Sequence, residues 1–236
     1  MDSFGSTLWS SVGKKVITGI TGLALFAFVG VHLVGNFTLF LGPGAFNGYA
    51  HFLESALHGW LIYAFEAGII VLFFFHIIST FTVAWTDKRK ARAIGYKYGK
   101  NAGGKSRKTF SSISMIYTGI LLVIFVIYHV KIFKLVDHEL IGPDNVKNLY
   151  KVVVTGFKNP LLAGGTTVLM ILLGFHLRHG IWSAFQSIGW ANDRYLPILT
   201  KIALIVSILL AIGFVALPIY LYFVGDPNAV AGPGGH

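Results

Sequence analysis

Four histidines stand in strongly apolar surroundings: His32 in VGVHLVGN, His76 in LFFFHIIST, His129 in VIYHVKIF and His176 in LGFHLRHG. In water a buried imidazole is commonly a hydrogen-bonded passenger, but in lipid a lone polar side chain is costly and asks for a partner or a function. Two imidazoles that meet at one depth can hold a metal from both sides, as the axial ligands of a haem iron do. The chain has no cysteine, so thiolate zinc sites, iron–sulfur ligation and disulfides are excluded.

The elements that must carry these residues are read from composition and hydropathy. The 236 residues are 55% hydrophobic and 12% charged, about half the charged fraction of a soluble domain, with mean hydropathy +0.70. Five apolar runs, at about 16–41, 60–85, 113–136, 161–185 and 198–224, reach the roughly 20 residues a helix needs to cross a bilayer. The expected fold is therefore all-α and integral to the membrane, a single domain over residues 1–225 followed by a flexible tail, 226–236. The first run is too long for a cleavable signal peptide and no small-residue cleavage site follows it. Trp60, Trp85, Trp182 and Trp190 fall at or near span ends, where amphipathic rings favour the headgroup zone. Pro218 inside span five is a candidate kink. No internal sequence repeat is expected.

Charge sets the orientation. The segment between spans two and three, residues 86–112, holds nine Lys or Arg against Asp87. Lys14, Lys15, Arg194 and Lys201 lie on the same side. On the other side Lys131, Lys134, Lys147, Lys151 and Lys158 are diluted by Asp137, Glu139 and Asp144. The positive-inside rule places the N-terminus in the cytoplasm and the C-terminus outside. The basic segment suits an acidic partner or anionic lipid better than nucleic acid.

With 1.5 Å of rise per residue, His32 and His129 fall outward of their span centres and His76 and His176 inward, in two layers about 10 Å apart. In an up-down bundle spans one and three are diagonal, as are two and four. Each layer then receives one histidine from each end of a diagonal, the arrangement for two stacked haems. A single transmembrane histidine is more often an interhelical hydrogen-bond donor, but one per helix, matched in depth across both diagonals, is harder to obtain by chance. A zinc or copper site would need its ligands to converge on one point. Gly30, Gly35, Ser79, Gly174 and Gly180 would give room for a flat macrocycle, or serve ordinary helix packing. His179 follows His176 by three residues on nearly the same face, so spacing alone leaves the span-four ligand open. Arg178 suits a haem propionate, or equally snorkels to the headgroups.

Two carboxylates are candidates for proton work. Glu54, in NGYAHFLESALHGW with His51 and His58 nearby, sits at the outer mouth of span two. Glu66, in YAFEAGII, sits within that span, where lipid favours the neutral acid and so a proton relay. The bland alternatives are a solvated cap for Glu54 and an interhelical hydrogen bond for Glu66.

On these residues the chain resembles the cytochrome b membrane anchor of succinate:quinone oxidoreductases (succinate dehydrogenase and fumarate reductase), the five-helix dihaem type. The resemblance runs from about Ser10 to Val224 and rests on SSVGKKVITGITGLALFAFVGVHLVGN, LFFFH, TGILLVIFVIYHV and FHLRHGIWSAFQSIGW. It implies two b-type haems, one held by His32 and His129 and one by His76 and His176. The register to Gly189–Trp190 selects His176 over His179. It also implies a flavoprotein with FAD and an iron–sulfur subunit on the cytoplasmic face of a bacterial inner membrane, with quinone, at family level menaquinone, as the membrane substrate. In related anchors a glutamate 22 residues after the first haem histidine belongs to the quinol site, and that count reaches Glu54. A second glutamate, two residues before the span-four ligand in some relatives, is replaced here by Gly174. The rival expectations are a haem b anchor of a different quinone-linked dehydrogenase and a histidine-based proton channel.

Overall fold

The computed structural model describes residues 8–87, 110–137, 139–141 and 146–229. Most of the basic segment 86–112 and the tail beyond Ala229 lie outside the described residues. Helix α1, Ser11–Asn36, opens on Ser10, whose Oγ accepts the Gly13 N–H at 3.0 Å, a serine N-cap. A 3-10 turn, Phe37–Leu41, ends at Gly42, where φ is +97°, and Pro43 starts α2, Pro43–Ser55. A second 3-10 turn, Ala56–Gly59, leads into α3, Trp60–Phe81, which closes in a wide π turn, Thr82–Asp87. Then come α4, Phe110–Phe133, an antiparallel pair β1, Leu140–Ile141, and β2, Val146–Lys147, the short α5, Leu149–Phe157, and the long α6, Pro160–Ser187, and α7, Leu196–Phe223.

Five helical stretches are long and apolar enough to cross a membrane: Ser11–Leu41, Pro43–Trp85, Phe110–Phe133, Pro160–Ser187 and Leu196–Phe223. Large apolar side chains such as Val31, Ile70, Ile124 and Ile212 face outward along them, as they do where the solvent is lipid. The architecture is that of a multi-pass helical membrane protein. Two elements depart from the expected plan. Residues 43–55, between the expected spans one and two, form a helix, and α5 interrupts the connection between spans three and four. Span three also ends at Phe133 rather than Val136, because Lys134 and Leu135 turn back to bond the Val130 carbonyl.

The described residues divide into two compact units. The first gathers the described residues within 1–27, 68–118 and 175–207. Its interior is lined by small and hydroxyl residues: Thr21, Ser79, Ser111, Thr118, Ala184, Ala203 and Ser207 are all buried. Small side chains let helix backbones approach where lipid offers no hydrophobic drive for association. Thr18 and Ser79 join α1 to α3 through an Oγ1–Oγ contact of 2.7 Å, and a methyl group on Gly19 would meet the Ala184 carbonyl at 3.1 Å.

The second unit gathers Phe28–Ala67, Gly119–Gly174 and Ile208–His236, and has an aliphatic and aromatic core. Helix α5 buries Tyr150, Val153, Val154 and Phe157, the spacing of one helical face. These pack with Leu33, Leu39, Ala163, Leu217 and Leu221. Asn148 caps α5 by accepting the Lys151 N–H. Buried Asn47 of α2 donates to Asn148 Oδ1 and accepts the Tyr150 N–H, pinning α2 to α5. The first residues of the expected tail, Asp226–Ala229, form a turn, and Ala229 packs on this core.

Candidate functional site

In the second unit the His32 ring of α1 and the His129 ring of α4 meet in a T-shaped arrangement, with centroids 6.0 Å apart and planes at 84°. Phe28, one turn before His32, stacks on it at 5.5 Å, and Phe125, one turn before His129, sits at 5.3 Å. Phe214 of α7 and Phe133 complete the surround. Among the described residues neither ring has a hydrogen-bond partner. This is a pair of imidazoles in an aromatic box.

The first unit holds His76 and His176 in a different manner. Thr21 Oγ1 of α1 lies 3.3 Å from His76 Nδ1, and Thr118 Oγ1 of α4 lies 3.2 Å from His176 Nδ1. Gly22 lies so close that a methyl group there would meet His76 Cε1 at 3.1 Å. His179 turns its edge to Trp182 at 4.9 Å, and its Nδ1 is buried without a partner among the described residues. Arg178 is half-buried on α6 and has no ion pair among the described residues.

Thr21 and Thr118 were missed in the reading of the sequence, although a signal exists. Both belong to one repeated string, TGLALFAFVGVH over residues 21–32 and TGILLVIFVIYH over 118–129, identical at six of twelve positions. The Thr-Gly, the Phe that meets the histidine and the histidine itself all recur. Of the residues expected to make room for a macrocycle, Gly30 and Gly180 do border open space. Gly35 and Ser79 serve packing instead. Tyr49 fills the space beside Gly35, and Ser79 is bonded to Thr18 and to the Phe75 carbonyl.

Both candidate carboxylates lie in the second unit, and each has a lysine. Glu54, at the end of α2, is held by Lys147 of β2 at 3.0 Å, in a partly buried pair. Glu66 of α3 pairs with Lys134, just past α4. Of the two alternatives for Glu66, a neutral relay acid or an interhelical hydrogen bond, this contact is of the second kind, with a partner 68 residues away. His51 and His58, near Glu54 in sequence, are exposed.

The family model described as succinate dehydrogenase/fumarate reductase transmembrane subunit matches residues 102–217. This chain is similar to a succinate dehydrogenase membrane subunit. The succinate dehydrogenase cytochrome b558 subunit of Bacillus subtilis (strain 168) is 27% identical over 195 residues, which cover 82% of this chain and 87% of that protein. No solved structure matches the chain significantly.

Proposed function

We propose that this chain is the membrane-anchor cytochrome b subunit of a succinate:quinone oxidoreductase, with His32 and His129 as ligands of one b-type haem and His76 and His176 as ligands of another. The observation that carries the reading is the 6.0 Å separation of the His32 and His129 rings. An iron bonded at about 2 Å to one nitrogen of each ring would hold the two centroids about 6 Å apart. The donor set also fits: neutral imidazoles are the usual protein ligands of haem iron. So do Thr80 Oγ1, Ser111 Oγ and His179 Nδ1 of the first unit, buried and without a partner among the described residues, since buried polar atoms call for a polar partner and haem carries carboxylates.

When bound, haem supplies one-electron transfer between an iron–sulfur partner and membrane quinone. The protein's own residues do the rest. The Phe28, Phe125, Phe133 and Phe214 rings keep water from the His32/His129 pair and lower the local dielectric. Glu54 exchanges protons with quinone in this reading, with Lys147 fixing its carboxylate. The dicarboxylate chemistry belongs to a flavoprotein partner, docked with an iron–sulfur subunit on the cytoplasmic side, where the basic segment 86–112 suits an acidic surface. Menaquinone is the expected quinone and the bacterial inner membrane the expected location.

Purification in mild detergent tests this directly. The reading expects a b-type alpha band on reduction, with flavoprotein and iron–sulfur chains bound. Absence of iron porphyrin contradicts it, and a haem-bearing complex with a different dehydrogenase transfers the anchor role to another enzyme.

A further inference from the structure

Thr21 and Thr118 each offer a hydroxyl to a histidine on a different helix, and the direction of that bond can be worked out. A threonine hydroxyl has one hydrogen to donate. Thr21 Oγ1 lies 2.7 Å from the Ile17 carbonyl of its own helix, and Thr118 Oγ1 lies 3.0 Å from the Ser114 carbonyl. A carbonyl can only accept, so both hydroxyl hydrogens are spent there. Toward the imidazoles the threonine oxygens can then only accept, and Nδ1 of His76 and Nδ1 of His176 must be the donors. A neutral imidazole with its hydrogen on Nδ1 has its lone pair on Nε2.

Resting on the haem reading above, we infer that Thr21 and Thr118 are positioning residues that lock His76 and His176 in the Nδ1–H tautomer, presenting both Nε2 lone pairs to one iron. Both threonines are buried, at 7% and 3% exposure, so water does not compete for the bond. The same threonine stands eleven residues before a histidine in both copies of the repeated string, close to three helical turns. Each copy thus supplies one haem ligand, His32 or His129, and one support for a ligand of the other haem. The His32/His129 pair has no equivalent support among the described residues. An acceptor on Nδ1–H makes an imidazole a stronger donor to its metal and fixes its ring plane, so the two haems differ by construction.

The test uses the assembled complex with its partner subunits, comparing wild type with Thr21→Val, Thr118→Val and Thr118→Ser. Optical redox titration and electron paramagnetic resonance follow each haem separately. The haem absent from a His76→Ala complex identifies the one that His76 and His176 hold. Both valine variants should raise the potential of that haem, change its resonance signature and weaken its retention about tenfold. The second haem should stay as in wild type, and Thr118→Ser, which keeps the hydroxyl, should restore the first. Unchanged potentials and signatures in both valine variants overturn the inference, as does a shift confined to the His32/His129 haem. Failure of Thr118→Ser to restore the signature while Thr118→Val shifts it also overturns it, because shape rather than the hydroxyl would then be responsible. A wild-type complex without b-type haem fails the underlying reading instead.

Discussion

Lys147 Nζ lies 3.0 Å from Glu54 Oε1, tying the strand that precedes α5 to the end of α2. Among the described residues the second carboxylate oxygen of Glu54 has no partner, so one oxygen is anchored and the other is available. Their side chains are 43% and 29% exposed, and a pair so placed contributes at most about 1 kcal/mol to stability. Its value is positional. Glu54→Gln should lower quinone-linked succinate oxidation about tenfold while dye-linked oxidation and haem content stay unchanged. Lys147→Ala should cost about threefold, and nothing further in a Glu54→Gln background. Turnover assays in detergent or nanodiscs check both expectations.

Next to Glu54 the backbone is strained. Leu57 and His58 have φ of 51° and 55°, and Gly59 follows at 84°. Glycine alone adopts that region freely, and a methyl group on Gly59 would sit 3.5 Å from the Glu54 carbonyl oxygen. Gly59→Ala should therefore destabilise the fold by about 1 kcal/mol and depress quinone-linked turnover with it. Thermal unfolding of the complex, read beside the turnover assay, measures the two effects. A variant with wild-type turnover would separate this turn from the Glu54 site.

Asn47 fixes the same region in place. Its amide satisfies both the Asn148 side chain and the Tyr150 N–H from within a buried site. Asn47→Leu leaves the buried Tyr150 N–H unpaired, at a cost of about 1–3 kcal/mol, while Asn148 Oδ1 keeps the Lys151 N–H. The expected outcome is a lower melting temperature and, on the proposed ligation, loss of the His32/His129 haem before the other on heating. Differential scanning with simultaneous haem absorbance would show that order.

Much of this architecture was legible in the sequence, and the illegible parts have physical reasons. Hydropathy reveals the five spans because lipid demands long uninterrupted apolar helices. The four histidines stand out because polar groups are rare there. Helix α5 was not read because LYKVVVTGF is a β-branched run whose helical form depends on Asn148 and on the core it packs against. For Glu66 the sequence left a proton relay and an interhelical hydrogen bond both open, because its partner lysine lies beyond the next span. The threonine supports were hidden differently. Their partners sit on other helices, so only the repeated Thr-Gly-to-His string pointed to them, and a twelve-residue echo is shorter than the repeats that mark solenoids and propellers.

The most direct measurement is haem per chain, by pyridine haemochrome, in the wild-type complex and in His32→Ala, His76→Ala, His129→Ala and His176→Ala. Paired ligation gives two haems in wild type and one in each variant, with His32→Ala and His129→Ala losing the same haem and His76→Ala and His176→Ala the other. A wild type free of b-type haem, or four variants that all keep two, would contradict it.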